Sequence, residues 1–389
     1  MIIQKPEDGK LFSWEEDPLK IEAMIPTEYI SNHAASLVEL KNGDILCAWF
    51  AGLSEGSGDI RIVGSRLKKG EIKWGKCQML SDEDDHSLQN PFFFQSPKGS
   101  LYLYHTSQQS RGIMTSEEWK EKVKRGEARG SFTMQETALI YRLESHDNGY
   151  TWESKSVFLD KPGSFCRHPI QVLSNGDWLF PMYYSLPSEI PGQQYGNDYS
   201  AVLISSDNGI TWTEYPVPQS RGRVQMSVME ISAGKCIAFF RSRAADRIYK
   251  SVSTDYGRSW SIPAITCLPN NNSSIHGIKL QSGNIALIYN NYSASTDPDA
   301  TLWPGLRYSI SVAISEDEGE TFPWIRDVEA GSGFHGEKNS NLNKPYEYPF
   351  LLQSTDGNIH IVYSYSSHSR RRHCIKYTRV SEGWIESGS

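Results

Sequence analysis

Six segments of the chain share one pattern of polarity: an apolar run, a polar turn containing glycine, and a second apolar run. Examples are AASLVELKNGDILCAWF, PFFFQSPKGSLYLYH and MSVMEISAGKCIAFF. Strands rich in β-branched and aromatic residues around a glycine turn predict β-hairpins. The turn glycines are Gly43, Gly99, Gly176, Gly234, Gly283 and Gly357.

A second repeat is interleaved with the hairpins. Its form is Ser-x-Asp-x-Gly-x-Ser/Thr-aromatic, as in SHDNGYTW. We expect the Asp to cap its own turn, the Gly to supply a positive φ, and the aromatic ring to fold back into the core. A calcium loop is the alternative, but it needs more oxygen ligands and a distal Glu. The repeat occupies residues 145–152, 205–212, 253–260 and 315–322.

The two repeats together predict an all-β chain. Each hairpin, with the further strand that leads into an Asp-containing turn, gives about four strands, which is one propeller blade. Six units therefore predict a six-bladed β-propeller with four-stranded antiparallel blades, built as a single domain over residues 1–389. The N-terminal segment 1–25 is a candidate to complete the last blade and so remove an exposed edge strand. One helix is predicted, at residues 116–128.

Composition and charge narrow the classes of partner. The chain has 389 residues and a formal net charge of -7, which argues against nucleic acid and anionic membranes. It has no apolar run long enough for a transmembrane helix and no signal-peptide pattern, so we expect a cytoplasmic protein. The six cysteines are scattered and form no CxxC pair. No metal and no cofactor are therefore predicted.

Polar residues stand just before the first apolar run of every hairpin unit. In a propeller these strand starts open into a shared pocket, so their side chains are candidates to surround one small ligand. The alternative is that strand starts are polar because they are solvated. The residues are His33, Asn90, Arg167 with His168, Gln225, His276 and Tyr348.

Arginines follow or precede the buried runs of later units. Arg241 ends the run CIAFF and Arg307 precedes YSISVAIS, while Arg247 lies shortly after Arg241. Converging guanidinium groups suit a carboxylate ligand, because their geometry allows two parallel hydrogen bonds. Arg243 we interpret instead as the partner of a surface acid. Glu55 and Asp59, in the loop GLSEGSGDI, are the candidate general acids, with solvated loop carboxylates as the alternative.

These features resemble the sialidases, six-bladed propeller enzymes with Asp-containing repeats, and most closely the bacterial group of predicted neuraminidases. The resemblance covers nearly the whole chain and includes the phrase NHAASLVELKNGDILCAWFAG. It implies an exo-acting glycoside hydrolase that releases a terminal acidic sugar, sialic acid or a related one, from an oligosaccharide or glycoconjugate. It further implies that Arg241 and Arg307 bind the sugar carboxylate, and that Tyr348 is the nucleophile.

Three positions depart from the family pattern. His33 stands where the first arginine is expected, and Gln225 stands where the glutamate partner of the tyrosine is expected. The acid/base aspartate falls near Ser57, so Glu55 or Asp59 would have to replace it. Gln225 cannot take a proton from Tyr348, whose phenol ordinarily has a pKa of about 10; His33 is then the candidate base.

These departures leave other functions open on the same fold. One is a lyase on a uronic-acid glycan, with His33 and Tyr348 as acid and base. Another is a His-dependent glycosidase, and a third is a propeller that binds glycans without turning them over.

Overall fold

The computed structural model describes residues 7–187, 196–303, 307, 309–330, 345–366 and 373–388. The chain forms two compact units. The first contains the residues up to Phe165 together with Val362–Arg379, and the second contains Cys166–Ile361 and the residues from Val380 onward. In the described ranges, no helix is both long and apolar enough to cross a membrane.

Two antiparallel sheets of the first unit follow the predicted hairpin pattern. Each has four strands in sequence order. The first consists of β3 (Ser31–Glu39), β4 (Ile45–Gly52), β5 (Arg61–Leu67) and β6 (Gln78–Ser81). The second consists of β7 (His86–Gln95), β8 (Leu101–Gln109), β9 (Leu139–Ser145) and β10 (Ser156–Leu159).

A further sheet combines strands from both ends of the chain in the order β1-β2-β26-β25-β24. Glu22 helps to fix the N-terminal strand there, since it accepts a hydrogen bond from the Trp14 indole at 2.8 Å and pairs with Lys376 at 2.8 Å. Burial by itself would raise the pKa of Glu22, but Lys376 and Lys20 outweigh it and lower that pKa. The strands are β1 (Phe12–Trp14), β2 (Asp17–Ile25), β24 (Tyr346–Gln353), β25 (Ile359–Ser366) and β26 (His373–Val380).

The second unit holds three more antiparallel sheets. In one, the innermost position is divided between two short strands that both pair with the same neighbour. That sheet consists of β11 (Ser164–Cys166), β12 (Gln171–Val172), β13 (Trp178–Tyr184), β14 (Tyr199–Ser205) and β15 (Thr213–Pro216). The next consists of β16 (Arg223–Ser232), β17 (Lys235–Ser242), β18 (Arg247–Ser253) and β19 (Ala264–Pro269). The last consists of β20 (His276–Lys279), β21 (Ile285–Tyr289), β22 (Ile310–Ser315) and β23 (Trp324–Glu329).

Helices are few, as the sequence predicts. α1 (Ser116–Lys124) confirms the predicted helix but ends earlier, at Lys124. Thr115 and Glu118 form a reciprocal capping box at its start. α2 (Glu382–Glu386) follows β26 and was not predicted.

The four Asp-containing turns share one hydrogen-bond pattern. In the turn at 145–152, Asp147 accepts bonds from the Thr151 amide at 2.9 Å and the Thr151 hydroxyl at 2.6 Å, while Ser145 accepts one from the Gly149 amide. The Thr151 hydroxyl, followed by the other donors of the turn, lowers the pKa of Asp147 to about 2. The carboxylate oxygens are therefore engaged within their own turn. The aromatic residues differ: Trp260 and Phe322 are buried, whereas Trp152 and Trp212 are half-buried.

The six antiparallel sheets confirm the predicted fold class, an all-β six-bladed β-propeller. Four sheets have the predicted four strands. The other two have five, one because β1 is added at its edge and one because its innermost strand is broken. The single-domain interpretation stays a prediction.

Candidate functional site

Several innermost strands carry a residue in the left-handed backbone region at the predicted ligand-facing position. Asn90, Gln225 and Tyr348 have φ values of 51°, 50° and 52°. The pairing register shifts beside Asn90 and beside Gln225, between Gln89 and Phe92 and between Val224 and Ser227. Such bulges re-aim a side chain, and strained backbone of this kind concentrates at functional sites. In β3 the same conformation falls on Ala34, with φ 57°, and not on the predicted His33.

Tyr348 and Arg241 form the centre of a polar cluster in the second unit. The Arg241 side chain, only 2% exposed, donates from Nη1 to the Tyr348 hydroxyl at 2.5 Å. The same nitrogen donates to Gln225 Oε1 at 3.0 Å, and Nε donates to Asn272 Oδ1 at 2.7 Å. One guanidinium therefore connects three of the residues in this cluster, and all three of these partners are neutral groups.

Arg167 joins this cluster through the break between β11 and β12. Pro169 follows two residues later, and proline has no N–H to offer a neighbouring strand. The Arg167 side chain donates from Nη2 to the Tyr348 carbonyl at 3.1 Å and from Nε to Ser274 Oγ at 3.2 Å. Its guanidinium carbon lies 5.5 Å from the centre of the Tyr348 ring. The structure thus brings Arg167 to the predicted nucleophile.

Arg307 is the third arginine that lies near the Tyr348 ring. Its guanidinium carbon lies 5.7 Å from the centre of the Tyr348 ring, close to the 5.4 Å of Arg241. Nη1 pairs with Glu347 at 2.9 Å and Nη2 donates to the Asn272 carbonyl at 3.0 Å. The predicted carboxylate-binding pair, Arg241 and Arg307, therefore lies on the same tyrosine, together with Arg167.

The segment NNNSS, residues 270–274, holds all three arginines and was missed by the sequence reasoning. Its five polar side chains are completely buried. Asn272 bonds Arg241 with its side chain and Arg307 with its carbonyl, while Ser274 bonds Arg167. An uninterrupted polar run directly before the apolar strand of a hairpin unit was the available signal. Glu347, the partner of Arg307, was missed as well.

Burial and Tyr348 shift the pKa values of two arginines of this cluster in opposite directions. Burial lowers the pKa of Arg167 and of Arg241 to about 10 each, and Tyr348 acts in the opposite direction. Both guanidiniums remain charged at neutral pH. Because electrostatic interactions are mutual, guanidiniums that are stabilised by a phenolate also stabilise that phenolate. The cluster therefore suits a tyrosine oxygen that acts as an anion and a ligand that carries a negative charge.

His168 and His276 are brought together but are packed as neutral rings. Their ring centres lie 4.9 Å apart, and His276 stacks on Phe350 at 3.9 Å. His168 Nδ1 bonds the Met226 carbonyl, and His276 Nδ1 accepts from the Leu351 amide. Burial lowers the pKa of His168 to about 3 and also lowers the pKa of His276. These contacts fix the two rings against their neighbours, and the predicted ligand contact of both histidines stays a prediction.

We expect this histidine pair to make the protein less stable in acid. The unfolded chain takes up protons below a pKa of 6.5, whereas folded His168 stays neutral until about pH 3. The free energy of unfolding therefore falls as the pH decreases from 6.5, by up to about 1.4 kcal/mol per pH unit for each histidine. Urea unfolding at pH 7.5, 6.0 and 5.0 should show a shallower pH slope for His168→Gln than for the wild type. His146→Gln, at an exposed position, is the control; equal slopes for all three proteins would contradict the expectation.

The structure places the two other nearby arginines differently. Arg243 is buried and pairs with the completely buried Asp198 at 2.7 Å, so its partner is an acid, as expected, but the pair is internal. Arg247 is exposed and donates to the Cys267 carbonyl at 2.8 Å. None of these bonds connects Arg247 with Tyr348, so its predicted role in binding stays a prediction.

Two of the predicted ligand-facing residues, His33 and Asn90, belong to the first unit. His33 is buried, with Nδ1 2.8 Å from the Ser364 hydroxyl and its ring edge-on to Phe50 at 5.3 Å. Asn90 is buried as well. The predicted role of His33 as a base stays a prediction.

The two candidate acids of the first unit differ in their surroundings. Asp59 accepts bonds from the Leu53 amide at 3.0 Å and from the Ser57 hydroxyl at 2.5 Å, so its carboxylate ties the loop together. Glu55 is exposed, and its carboxylate is 3.5 Å from Gln89 Nε2. Of the two, Glu55 has the carboxylate that is more accessible to solvent.

One group of described residues has donor atoms close enough to hold a metal ion. Glu144, His146 and Glu153 of the first unit each offer one donor atom within 4.8 Å of the others. His146 Nε2 lies 3.2 Å from Glu153 Oε1, and both side chains are about 60% exposed. This geometry is equally that of an ordinary surface ion pair.

Comparison with known proteins agrees with the fold. The profile of the BNR repeat-like domain family matches residues 43–361. A protein of unknown function from Dyadobacter fermentans has a TM-score of 0.68 at 16% identity, covering 92% of this chain and 97% of its own. The NanB sialidase of Streptococcus pneumoniae has a TM-score of 0.68 at 14% identity, covering 92% and 70% respectively.

A third structure, the intramolecular trans-sialidase of Ruminococcus gnavus, has a TM-score of 0.67 at 14% identity and covers 92% of this chain and 96% of its own. Curated protein sequences give no significant match. At these identities the solved structures show a shared fold, while the family profile extends over most of the chain. The chain therefore belongs to the BNR repeat-like domain family.

Proposed function

We propose that this protein is an exo-acting glycoside hydrolase of the sialidase type, which releases a terminal acidic sugar from a glycan. The observation that carries the proposal is the cluster around Tyr348. Its ring is surrounded by three guanidiniums at 5.4–5.7 Å, and its hydroxyl accepts a hydrogen bond from one of them. Tyrosine nucleophiles are known in sialidases as an exception among glycosidases.

The sugar carboxylate would bind to the arginines of this cluster. Nη2 of Arg241 makes none of the hydrogen bonds that its other two nitrogens make to Asn272, Gln225 and Tyr348. This nitrogen can therefore donate to a ligand without breaking the cluster. A carboxylate is the matching acceptor, because guanidinium and carboxylate form strong, charge-assisted bonds.

Tyr348 would then attack the anomeric carbon. Its oxygen forms a bond to that carbon while the bond to the leaving oxygen breaks, and an acid protonates the leaving group. Water then attacks the anomeric carbon and gives one proton back to the deprotonated acid, while the bond to the tyrosine oxygen breaks, so the sugar leaves and the tyrosine anion is restored. Arg241 and Arg167 support the negative charge that the tyrosine oxygen carries before attack.

A second candidate function is glycan binding without turnover, and Gln225 favours it. This amide shares Arg241 with Tyr348, at 3.0 Å from the same nitrogen. An amide cannot accept the phenol proton as a carboxylate would. In this case the arginines would hold an acidic sugar and the glycosidic bond would stay intact.

The test is an assay of products with a fluorogenic sialoside and a panel of uronic-acid glycans, which follows free sugar and ultraviolet absorbance together. We expect free acidic sugar without a rise in absorbance. A rise in absorbance would indicate the unsaturated product of a lyase, and binding without product would favour the second candidate. Glu55→Gln and Asp59→Asn, assayed in parallel, test the two predicted acids separately.

A further inference from the structure

A cavity of about 280 Å³ lies in the first unit beside the turn SHDNGYTW. Phe93 and Trp152 form part of its apolar lining, and Arg66, Lys68 and Lys76 supply its positive charges. Its volume is just below the range of about 300–1,000 Å³ that is usual for small-molecule sites. The cavity therefore suits a ligand of about one sugar ring. None of its lining residues belongs to the arginine cluster around Tyr348.

The ring of Tyr150 lies at this cavity and is held in place by Arg66. Tyr150 is 61% exposed, and the Arg66 guanidinium lies 4.1 Å from the centre of its ring. Arg66 is held in turn by Asp44 at 2.8 Å and by the Asn148 carbonyl at 2.5 Å. An aromatic ring that packs on a guanidinium and remains exposed to solvent can stack against the C–H face of a sugar.

Trp152 differs from the tryptophans of the equivalent turns. The indole nitrogens of Trp212 and Trp260 donate to the glycine carbonyls of their own turns, at 3.1 and 2.9 Å. The buried Trp152 indole nitrogen has no hydrogen-bond partner in the described structure. A buried donor without a partner carries a free-energy cost, because its lost hydration is not replaced. A small shift of this ring that let it bond a ligand oxygen would recover that energy.

The charge around the cavity is opposite to that of the whole protein. The stretch RLKKGEIKWGK, residues 66–76, contains five basic residues and one acidic residue, although the net charge of the chain is -7. Lys68 and Lys76 line the cavity, are exposed, and form no ion pair in the described ranges. An anionic group is therefore the ligand feature that this rim would attract.

We propose that this cavity is a second, non-catalytic carbohydrate site that binds one acidic sugar residue. The sugar ring lies against Tyr150 and the apolar floor, and its carboxylate is held by Lys68 and Lys76. Sialic acid and uronic acids share this chemistry, a ring that carries a carboxylate. The site would hold a polymeric or branched glycan on the protein.

The experiment compares two charge reversals from the same stretch. Lys68→Glu/Lys76→Glu alters the cavity, and Lys69→Glu/Lys73→Glu makes the same change in charge at exposed lysines outside its lining. Both are made in a Tyr348→Phe background, which prevents turnover if the proposed hydrolase function is correct. Binding is measured by ligand-observed NMR with the methyl glycosides of glucuronic acid, N-acetylneuraminic acid and glucose.

We expect the cavity variant to lose at least tenfold in affinity for one or both acidic glycosides, and the control to lose less than twofold. Preference for one acidic glycoside identifies the source of the carboxylate. Equal losses in both variants, equal binding of the neutral glucoside, or competition by polyglutamate that matches the glycosides would overturn the proposal.

Tyr150→Ala, which keeps every charge, should also weaken binding. In the Tyr348-containing protein, Lys68→Glu/Lys76→Glu should leave kcat/KM for a small fluorogenic sialoside unchanged, so the two proposals fail separately.

Discussion

Replacement of Tyr348 by phenylalanine should reduce turnover of an acidic glycoside by at least about 1,000-fold, because loss of a nucleophile removes the covalent route altogether. The ring itself remains, and with it the contacts to the guanidiniums at 5.4–5.7 Å. The arginines that would bind the sugar carboxylate are not altered. Most of the loss should therefore appear in kcat, while the affinity for the free acidic sugar changes by only a few-fold.

The measurement combines steady-state kinetics on a fluorogenic sialoside with titration of the free sugar. Phenylalanine leaves Arg241 Nη1 with Gln225 as an acceptor, so we expect a stability loss of no more than about 1–3 kcal/mol. Tyr289→Phe is the matched control. It also removes a hydroxyl oxygen that is buried, but one that makes no hydrogen bond in the described structure, and its kinetics should match the wild type. Undiminished turnover in Tyr348→Phe would exclude the tyrosine as nucleophile.

The fold could be predicted from the sequence because its signals are local and repeated. Each hairpin carries its own strand pattern and a turn glycine, and all six of these glycines have positive φ values between 78° and 105°. Glycine adopts such conformations without the strain that a side chain imposes. A local requirement that recurs six times can be recognised without knowledge of any long-range contact.

Part of the candidate site could be predicted for the same reason. Gln225, Arg241 and Tyr348 flank apolar runs, and the structure brings them within hydrogen-bond distance. Polar residues beside a buried strand have few positions available to them, so their proximity follows from the strand pattern. Arg167 is brought in by the strand break at Pro169, which the sequence also displays.

The polar run that supports the arginines is visible in the sequence, but its burial could not be predicted, because burial depends on tertiary contacts. By composition NNNSS is typical of a solvated loop, yet residues 270–274 are completely buried around the arginines. The stacking of the His168 and His276 rings on each other is likewise a tertiary contact that the sequence does not indicate. Residue type alone does not indicate whether a polar side chain meets a ligand, a neighbouring side chain or water.

Replacement of Arg241 by lysine should reduce kcat/KM by about 100-fold, although the positive charge is kept. Removal of one partner from a buried, hydrogen-bonded charged group costs about 2–5 kcal/mol. Arginine bonds Asn272, Gln225 and Tyr348 with two nitrogens and keeps Nη2 for a ligand. A lysine has a single ammonium group and cannot reproduce this fork. The free sugar should therefore bind more weakly, in contrast to the Tyr348→Phe variant.

Two further variants separate lost geometry from lost charge. Arg125→Lys changes an exposed arginine beside α1 that pairs with Glu127 at 2.7 Å, and its kcat/KM should stay within about twofold of the wild type. In Asn272→Gly, glycine can adopt the φ of 56° at this position, and the carbonyl that Arg307 uses is kept. The substitution removes the side-chain oxygen that accepts the hydrogen bond from Arg241 Nε. If orientation of Arg241 matters, Asn272→Gly lowers kcat/KM in the same direction as Arg241→Lys, with the charge of every arginine intact. If charge alone were sufficient, Asn272→Gly and Arg241→Lys would both retain full activity, and the guanidinium fork would have no part in binding the sugar.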